Sequence, residues 1–391
     1  MSHFELQKMP STIRKGTITT PHGDLSTPFF MPIATRAAVK TLSAVDMEKL
    51  GTPIVLSNTF HLMLRPGMEV MKAMGGLHAF MGWNGAILTD SGGYQVFSLA
   101  DRRKVTEEGV AFQSPIDGSK HLLTPESSIE IQLALGSDIV MCFDEVIALP
   151  ADQAATRSAV ERTERWAKRC KETFESKIDS SINPGAQLFG IIQGGTDHDL
   201  RKQSAEGMLK IGFDGYAIGG LSVGEPFEQS LEVLDRLMPL LPADKPRYFM
   251  GGAQPHQIVE YVKRGIDMFD CVLPTRNARH GHLYRWVHDD LSKPDFYETV
   301  NIINSKWKGS VEQLLDPKIP NRSEERSSPV ALAKGEGARS EKKEDFEGEL
   351  SRFSLGYLHH LFDIKEILAY RLATVNNLMF YLKLFEILRE E

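Results

Sequence analysis

Two stretches of this chain carry a carboxylate in a setting suited to chemistry. Met268-Phe269-Asp270-Cys271-Val272-Leu273-Pro274-Thr275-Arg276 is an apolar, strand-like run that delivers Asp270, breaks at Pro274 and turns basic. Ile87-Leu88-Thr89-Asp90-Ser91-Gly92-Gly93-Tyr94-Gln95 has the same layout around Asp90. Each puts an Asp at the end of a buried strand, followed by a turn. Two such carboxylates facing one pocket suit a glycosidic carbon. Asp270 is the candidate nucleophile and Asp90 the candidate general acid/base, a role that needs a shifted pKa. The competing use of either Asp is a buried turn carboxylate bonded to backbone amides.

Other residues suit recognition of a base. Asp144 and Gln193 match a guanine-like edge, because a carboxylate accepts from its N–H groups and an amide meets its carbonyl. Gly219 and Gly220 leave backbone amides open to close approach. Ser91 and Leu221, their neighbours in the same turns, complete the set. Tyr94 and Met250 are candidates to stack on a flipped base, with plain core filling the competing use of Met250. Arg276, Arg279, His280 and His282 follow Asp270, and Lys263 and Arg264 precede it. Lys263, Arg276 and Arg279 are the candidates for holding nucleic-acid phosphates; a solvated surface cation is the ordinary alternative for each.

These residues need a scaffold. Eight short apolar runs recur: Phe29–Thr35, Ile54–Thr59, Ala86–Ser91, Asp138–Glu145, Leu188–Gly194, Tyr216–Leu221, Tyr248–Gly251 and Met268–Pro274. Most are apolar throughout, which predicts a parallel sheet covered on both faces. Ala155–Ser176, Asp199–Ile211, Pro226–Leu241 and Pro255–Arg264 carry helical spacing between them. The alternation predicts an α/β fold, a (β/α)8 barrel. An open doubly wound sheet is disfavoured, since no glycine fingerprint for phosphate follows the first strand. In a barrel, functional residues belong at the C-terminal strand ends, where Asp90, Asp144, Gln193, Gly219-Gly220 and Asp270 all fall.

Composition bounds the rest. With 391 residues, 41% hydrophobic and 25% charged, the chain is an ordinary globular one. Its net charge of -7 does not advertise nucleic-acid binding, although a local basic face can bind phosphates on an acidic protein. No signal peptide or transmembrane run is read, and the three cysteines read as buried thiols, so a cytoplasmic location is expected. Residues 1–290 are expected to form the barrel and 291–349 a connecting segment. Within it, 321–349 is rich in Ser, Glu, Lys, Arg and Gly and reads as a disordered insertion. Residues 350–391 read as a C-terminal helical subdomain packed on the barrel.

Taken in order, the motifs resemble those of the tRNA-guanine transglycosylases, also called queuine tRNA-ribosyltransferases. Thr20-Pro21-His22-Gly23, Asn58–Leu62, Gly75–His78, Thr89–Gln95, Asp117–Lys120, Phe143–Glu145, Phe189–Gly194, Gly219–Glu225 and Asp267–Arg276 carry the likeness, which covers about residues 13–317 and 350–388. The resemblance implies a pentosyltransferase that exchanges the wobble guanine of tRNAs with a GUN anticodon for a 7-deazaguanine, in queuosine modification. It implies Asp270 as nucleophile and Asp90 as general acid/base. Asp144, Gln193 and Gly220 then bind the base, and Tyr94 and Met250 stack on it. It also implies a homodimer.

The chain departs from the family pattern in two places. Family members bind a structural zinc through a Cys-x-Cys-x-x-Cys cluster and a His. Here no cysteine follows Cys271 and Asn376 stands at the His position, so no zinc is expected. The pair His359-His360 reads as helix surface. In the base pocket, Val223 disfavours the cyclopentenediol of queuine and so favours the smaller pre-queuosine base, preQ1, while Val146 points the other way. A non-catalytic tRNA-binding partner subunit is the competing reading, which the presence of both aspartates opposes. An enzyme of the archaeal type and an ordinary barrel glycosidase fit less well, the latter because it has no use for Asp144 and Gln193.

Overall fold

The computed structural model describes residues 3–7, 13–99, 103–147, 152–252, 254–320 and 346–391. The expected insertion at 321–349 lies, up to residue 345, outside the described residues. Two compact units are present: residues up to Val272 together with Leu384–Glu391, and Leu273–Lys383.

The first unit holds all eight expected strands. We label them β1 (Phe29–Met31, continuing past Pro32 as Ile33–Ala34), β2 (Ile54–Ser57), β3 (Ala86–Thr89), β4 (Ile139–Met141), β5 (Gln187–Ile192), β6 (Gly215–Ile218), β7 (Arg247–Phe249) and β8 (Met268–Asp270). Each pairs in parallel with its neighbours in chain order. The sheet closes through β1, which sets Phe30 opposite Phe269 of β8 and, beyond Pro32, Ala34 opposite Ser57 of β2. Proline has no N–H to give a ladder, so it sits where the strand changes partners. The architecture is the (β/α)8 barrel.

The expected helices form over Gln153–Lys177, His198–Ile211, Phe227–Leu237 and Pro255–Lys263. Two short antiparallel sheets were not expected: Phe4–Leu6, Gly16–Thr20 and Gly23–Thr27 in one, and Arg103–Val105, Val110–Gln113 and Lys120–Leu123 in the other. Their strands are too short and too polar to stand out as periodic runs.

Alternate strand residues fill the barrel. Phe29 and Met31, Ile54 and Leu56, Ala86 and Leu88, Ile139 and Met141, and Phe189 and Ile191 join Ala217, Tyr248 and Met268 in one buried cluster. Phe4, Ile18 and Leu25 of the first small sheet belong to the same cluster. Each large apolar side chain so buried contributes roughly 1.5–3 kcal/mol. The outward-facing Phe30 and Phe269 meet Phe385, with ring centroids 6.1 and 5.4 Å away. Arg389 in the same segment donates to Pro28 O at 2.7 Å.

A repeated device locks the N-terminal ends of the strands. Asp138, Asp214 and Asp267 immediately precede β4, β6 and β8. Each carboxylate accepts the backbone N–H of the preceding strand: Ile87 at 2.8 Å, Leu188 at 2.9 Å and Arg247 at 2.8 Å. Each Asp N–H returns a bond to the carbonyl of that same residue. Arg14 neutralises Asp267 at 3.0 Å. Asp138 faces His22 Nδ1 at 2.7 Å and His78 Nε2 at 3.3 Å, and the two imidazoles stack at 3.7 Å.

The second unit is built on the hairpin His282–Trp286 and Tyr297–Asn301 and on the part of helix Ile367–Glu390 that ends at Lys383. Phe380 packs on Trp286 and Tyr284, with centroids 4.5 and 5.6 Å away. Buried Asn377 accepts from Tyr284 N at 3.0 Å and donates to Pro274 O at 3.0 Å and His282 O at 2.9 Å. No helix among the described residues is long and apolar enough to cross a membrane.

Burial alone would raise Asp138, but the hydrogen bonds from His78, His22 and Ile87 outweigh it and hold the carboxyl below its ordinary value. A group whose folded pKa is depressed stabilises the fold above its unfolded value of about 3.9 and loses that contribution as pH falls through the folded one. Asp138→Asn should therefore cost about 1–3 kcal/mol at pH 7, with the gap to wild type closing below about pH 4. Denaturant melts across that range check this, and a gap that stays constant into acid refutes it.

Candidate active site

The two-residue period of a strand carries the barrel interior into the site. Asp90 lies two positions beyond the inward Leu88, Gln193 beyond Ile191, Gly219 beyond Ala217, Met250 beyond Tyr248, and Asp270 beyond Met268. One rim, at the C-terminal ends of β3, β5, β6, β7 and β8, thus receives all five.

Asp270 is buried. Its Oδ1 accepts the Tyr248 hydroxyl at 2.5 Å and Gly251 N–H at 2.8 Å. Both bonds fall on Oδ1. Burial raises the Asp270 pKa, and the Tyr248 and Gly251 donors oppose that rise.

Asp90 is held differently. Asn58 Nδ2 and Gln95 Nε2 donate to Oδ2 at 2.6 and 3.1 Å. Thr59 N and Gly92 N donate to Oδ1, each at 3.1 Å. Asn58 also caps the helix Thr59–Leu64, which fixes both donors on that side. Burial raises Asp90 to about 7, pulled down by the Thr59 and Gly92 amides and pushed up by the charge of Asp270. The buried Tyr248 hydroxyl is raised by burial and then by the charges of Asp270 and Asp90. The two aspartates therefore share one electrostatic environment.

Asp144, also buried, spans the next two strand ends. Ser91 Oγ donates to Oδ1 at 3.2 Å and Gln193 Nε2 to Oδ2 at 2.6 Å. Burial pushes Asp144 up to about 6. A Cβ on Gly93 would fall 2.8 Å from Asp144 Oδ1, so glycine is what admits the carboxylate here. Gln193 packs just as closely on Gly219 and Gly220.

The remaining candidates divide. Gly219 N–H is spent on Ile192 O at 3.0 Å. Met250 is partly buried against the barrel core, whereas Tyr94 is 56% exposed on the helix Gly93–Phe97. Lys263 is engaged by Glu260 at 3.0 Å, which weakens its candidacy for phosphates. In the second unit, Arg276 and Arg279 share the helix Leu273–Arg279. Burial, then the charge of Arg276, lowers Arg279, so two guanidiniums sit close together there. Val146 is buried and Val223 partly so.

Asn58, Thr59, Gln95 and Tyr248 were not singled out from the sequence as partners of the aspartates. The first three lie inside motifs already noted, while Tyr248 looked like one more apolar strand residue. Among the described residues, His22, His78 and Asp138 are the one group of such side chains close enough to share a metal ion. Their stacked, nearly parallel rings and the bonds to Asp138 suit a structural tie at the opposite end of the strands.

Known proteins resolve the class. A sequence model described as "Queuine tRNA-ribosyltransferase" matches residues 10–391. The chain belongs to that family. It is 47% identical over 380 residues to the queuine tRNA-ribosyltransferase of Psychrobacter sp. (strain PRwf-1), covering 97% of this chain and 90% of that one. The counterpart from Francisella tularensis subsp. mediasiatica (strain FSC147) is 46% identical over 387 residues, with 99% and 94% covered. That of Desulfosudis oleivorans is 47% identical over 374 residues, with 95% and 86% covered. This chain is accordingly an enzyme of the pentosyltransferase class.

The charge balance of the rim can be measured directly. A carbon-13 titration of the carboxyl groups should place Asp90 at about 7. Gln95→Leu removes a donor to its ionised form, so the apparent value should move upward. A downward move, or an Asp90 that titrates with exposed carboxylates, contradicts the hydrogen-bond set described.

Proposed function

We propose that this enzyme is a tRNA-guanine transglycosylase that replaces the wobble guanine of GUN-anticodon tRNAs with a 7-deazaguanine, preQ1 in preference to queuine. The observation that carries the reading is the pair of carboxylates at one rim, Asp270 buried and Asp90 partly so, with Asp144 and Gln193 joined beside them. Asp270 acts as nucleophile through Oδ2, the oxygen that neither the Tyr248 hydroxyl nor Gly251 N–H engages. It attacks C1′ of the ribose, the bond from C1′ to the guanine nitrogen breaks, and the proton held by Asp90 goes to the departing base. The incoming base then attacks C1′, displaces the Asp270 carboxylate and returns its proton to Asp90. A group at about 7 can both give and take that proton.

Asp144 accepts from the N–H groups of the base edge, and Ser91 and Gln193 hold it in place. Backbone amides at Gly220 and Leu221 meet the base carbonyl. Met250 and Tyr94 flank the ring, and Arg276 and Arg279 suit tRNA phosphates. Val223, partly buried beside the glycine loop, limits room for a large substituent and supports the smaller base.

We further propose that the enzyme folds without the family's structural zinc. The donor set does not fit one. No cysteine follows Cys271, and Asn376 commits its Nδ2 to Tyr284 O and Asn377 Oδ1, each at 3.1 Å. An amide nitrogen that donates hydrogen bonds is not a zinc ligand. Metal analysis of the purified enzyme should give far less than one zinc per chain, and a full equivalent overturns this proposal.

The deciding experiment is guanine exchange into a GUN-anticodon tRNA, with preQ1 and queuine as competitors. Wild type should exchange and form a covalent tRNA adduct. Asp270→Asn should lose the adduct and at least about 1,000-fold in rate. An adduct that survives removes Asp270 as nucleophile. Binding of tRNA without exchange by wild type favours the partner-subunit reading instead.

A further inference from the structure

The protein carries 52 acidic residues against 45 Lys and Arg, so a stretch with cations and no carboxylate stands out. Two such stretches lie side by side. Residues 33–45 run from the end of β1 into the loop beyond it and hold Arg36 and Lys40. Residues 54–68 run from β2 through the helix Thr59–Leu64 and hold His61 and Arg65. Neither stretch contains an Asp or a Glu. The two strands pair in parallel with Ala34 opposite Ser57, and Ser57 Oγ donates to Ala34 O at 3.1 Å. Both stretches therefore leave the barrel at the rim that carries the aspartates. Asn58 and Thr59, at the start of the helix, are themselves donors to Asp90.

Arg36 and Lys40 are exposed, and neither is paired with a carboxylate among the described residues. Both come near His61. Burial lowers that imidazole, and the charges of Arg36 and Lys40 lower it further. His61 is thus mostly neutral at pH 7, and the standing charge of the patch is that of Arg36 and Lys40. The loop that carries them has an unusual shape. Ala37 and Thr41, each just after one of the cations, have φ of 59° and 71°, in the left-handed region that residues with a Cβ rarely adopt. Ala37 N and Leu42 N close tight turns on Ala34 O and Val39 O, each at 3.1 Å. Two neighbouring cations without a counter-ion, on a strained loop, do little for the fold, and such strain persists where it serves a site.

We propose that Arg36 and Lys40 form a phosphate-binding patch that grips the anticodon strand of tRNA on the β1–β2 side of the rim, beside Asp90. The proposal rests on the tRNA reading of this rim. Every internal ribose of an RNA chain is joined to a phosphate on each side. A strand that brings its C1′ to Asp90 and Asp270 therefore brings phosphates past the loops next to Asp90. The pair belongs to the first unit, whereas Arg276 and Arg279 belong to the second. A second copy of this chain is the other surface such a patch could meet, but it would bring nothing to Asp90.

The test measures base exchange by the whole enzyme on a GUN-anticodon transcript over a range of salt, with Arg36→Gln, Lys40→Gln and the double variant. Each single change should raise the tRNA KM about fivefold and the double about 25-fold, with kcat within about twofold and the guanine KM unchanged. The slope of log KM against log salt should fall by about 0.7–0.9 for each cation removed. Arg36→Lys keeps the charge and should recover most of the lost affinity. A tRNA KM and salt slope in the double variant equal to those of wild type overturn the proposal. So does a fall in kcat alone, which marks a structural role. Sedimentation of the same variants separates the second-copy alternative. A loss of affinity that accompanies dissociation of the enzyme assigns the patch to a second copy and also overturns the proposal. Failure of wild type to bind tRNA at all would instead overturn the tRNA reading.

Discussion

The alternation of side chains along a strand governs this enzyme. In a closed parallel barrel every second residue points inward. All eight strands also run the same way, so their C-terminal ends meet at one rim. A polar residue two positions beyond the last inward apolar one has no choice but to face that rim. Asp90, Gln193, Gly219, Met250 and Asp270 reach it by this rule from five separate strands. A slip of one residue in any strand would turn its functional group outward, toward the helices.

Aspartates serve opposite purposes at the two ends of the same strands. Asp138, Asp214 and Asp267 are tied reciprocally to the preceding strand's backbone, and two of them also meet His or Arg side chains. They are joints, and each clamps one pair of neighbouring strands. At the other end, Asp90 has donors but no cation among the described residues, and the like charge of Asp270 works against its ionisation. The first arrangement favours rigidity. The second keeps a carboxyl near neutral protonation, which suits proton transfer. Asp144 lies between the two cases, satisfied by Ser91 and Gln193 yet pushed up to about 6 by burial.

Much of this was legible in the sequence. The eight strands were readable because buried parallel strands are apolar on both faces and leave uninterrupted runs. The positions of Asp90 and Asp270 followed from the turn residues after those runs. Tyr248 was not legible as a partner of Asp270, because an inward tyrosine in a strand looks like core until its hydroxyl is seen to meet a carboxylate. The burial of Arg201 was hidden for a related reason. A basic residue in the first turns of an amphipathic helix is normally solvated, and only the fold brings carbonyls from two strand ends onto it. The small antiparallel sheets left no signal either, since strands of three to five residues with polar faces carry too little periodicity.

The placement of Phe385 bears on how the barrel is made. β1 and β8 form the seam at which the sheet closes, and their outward phenylalanines share this one ring as a cover. Arg389 fastens the same segment to the backbone just before β1. All eight strands leave the ribosome well before that cover exists. Until Phe385 arrives, Phe30 and Phe269 at the seam lack the ring they share. The barrel becomes a finished object only when the chain returns to the point where it began.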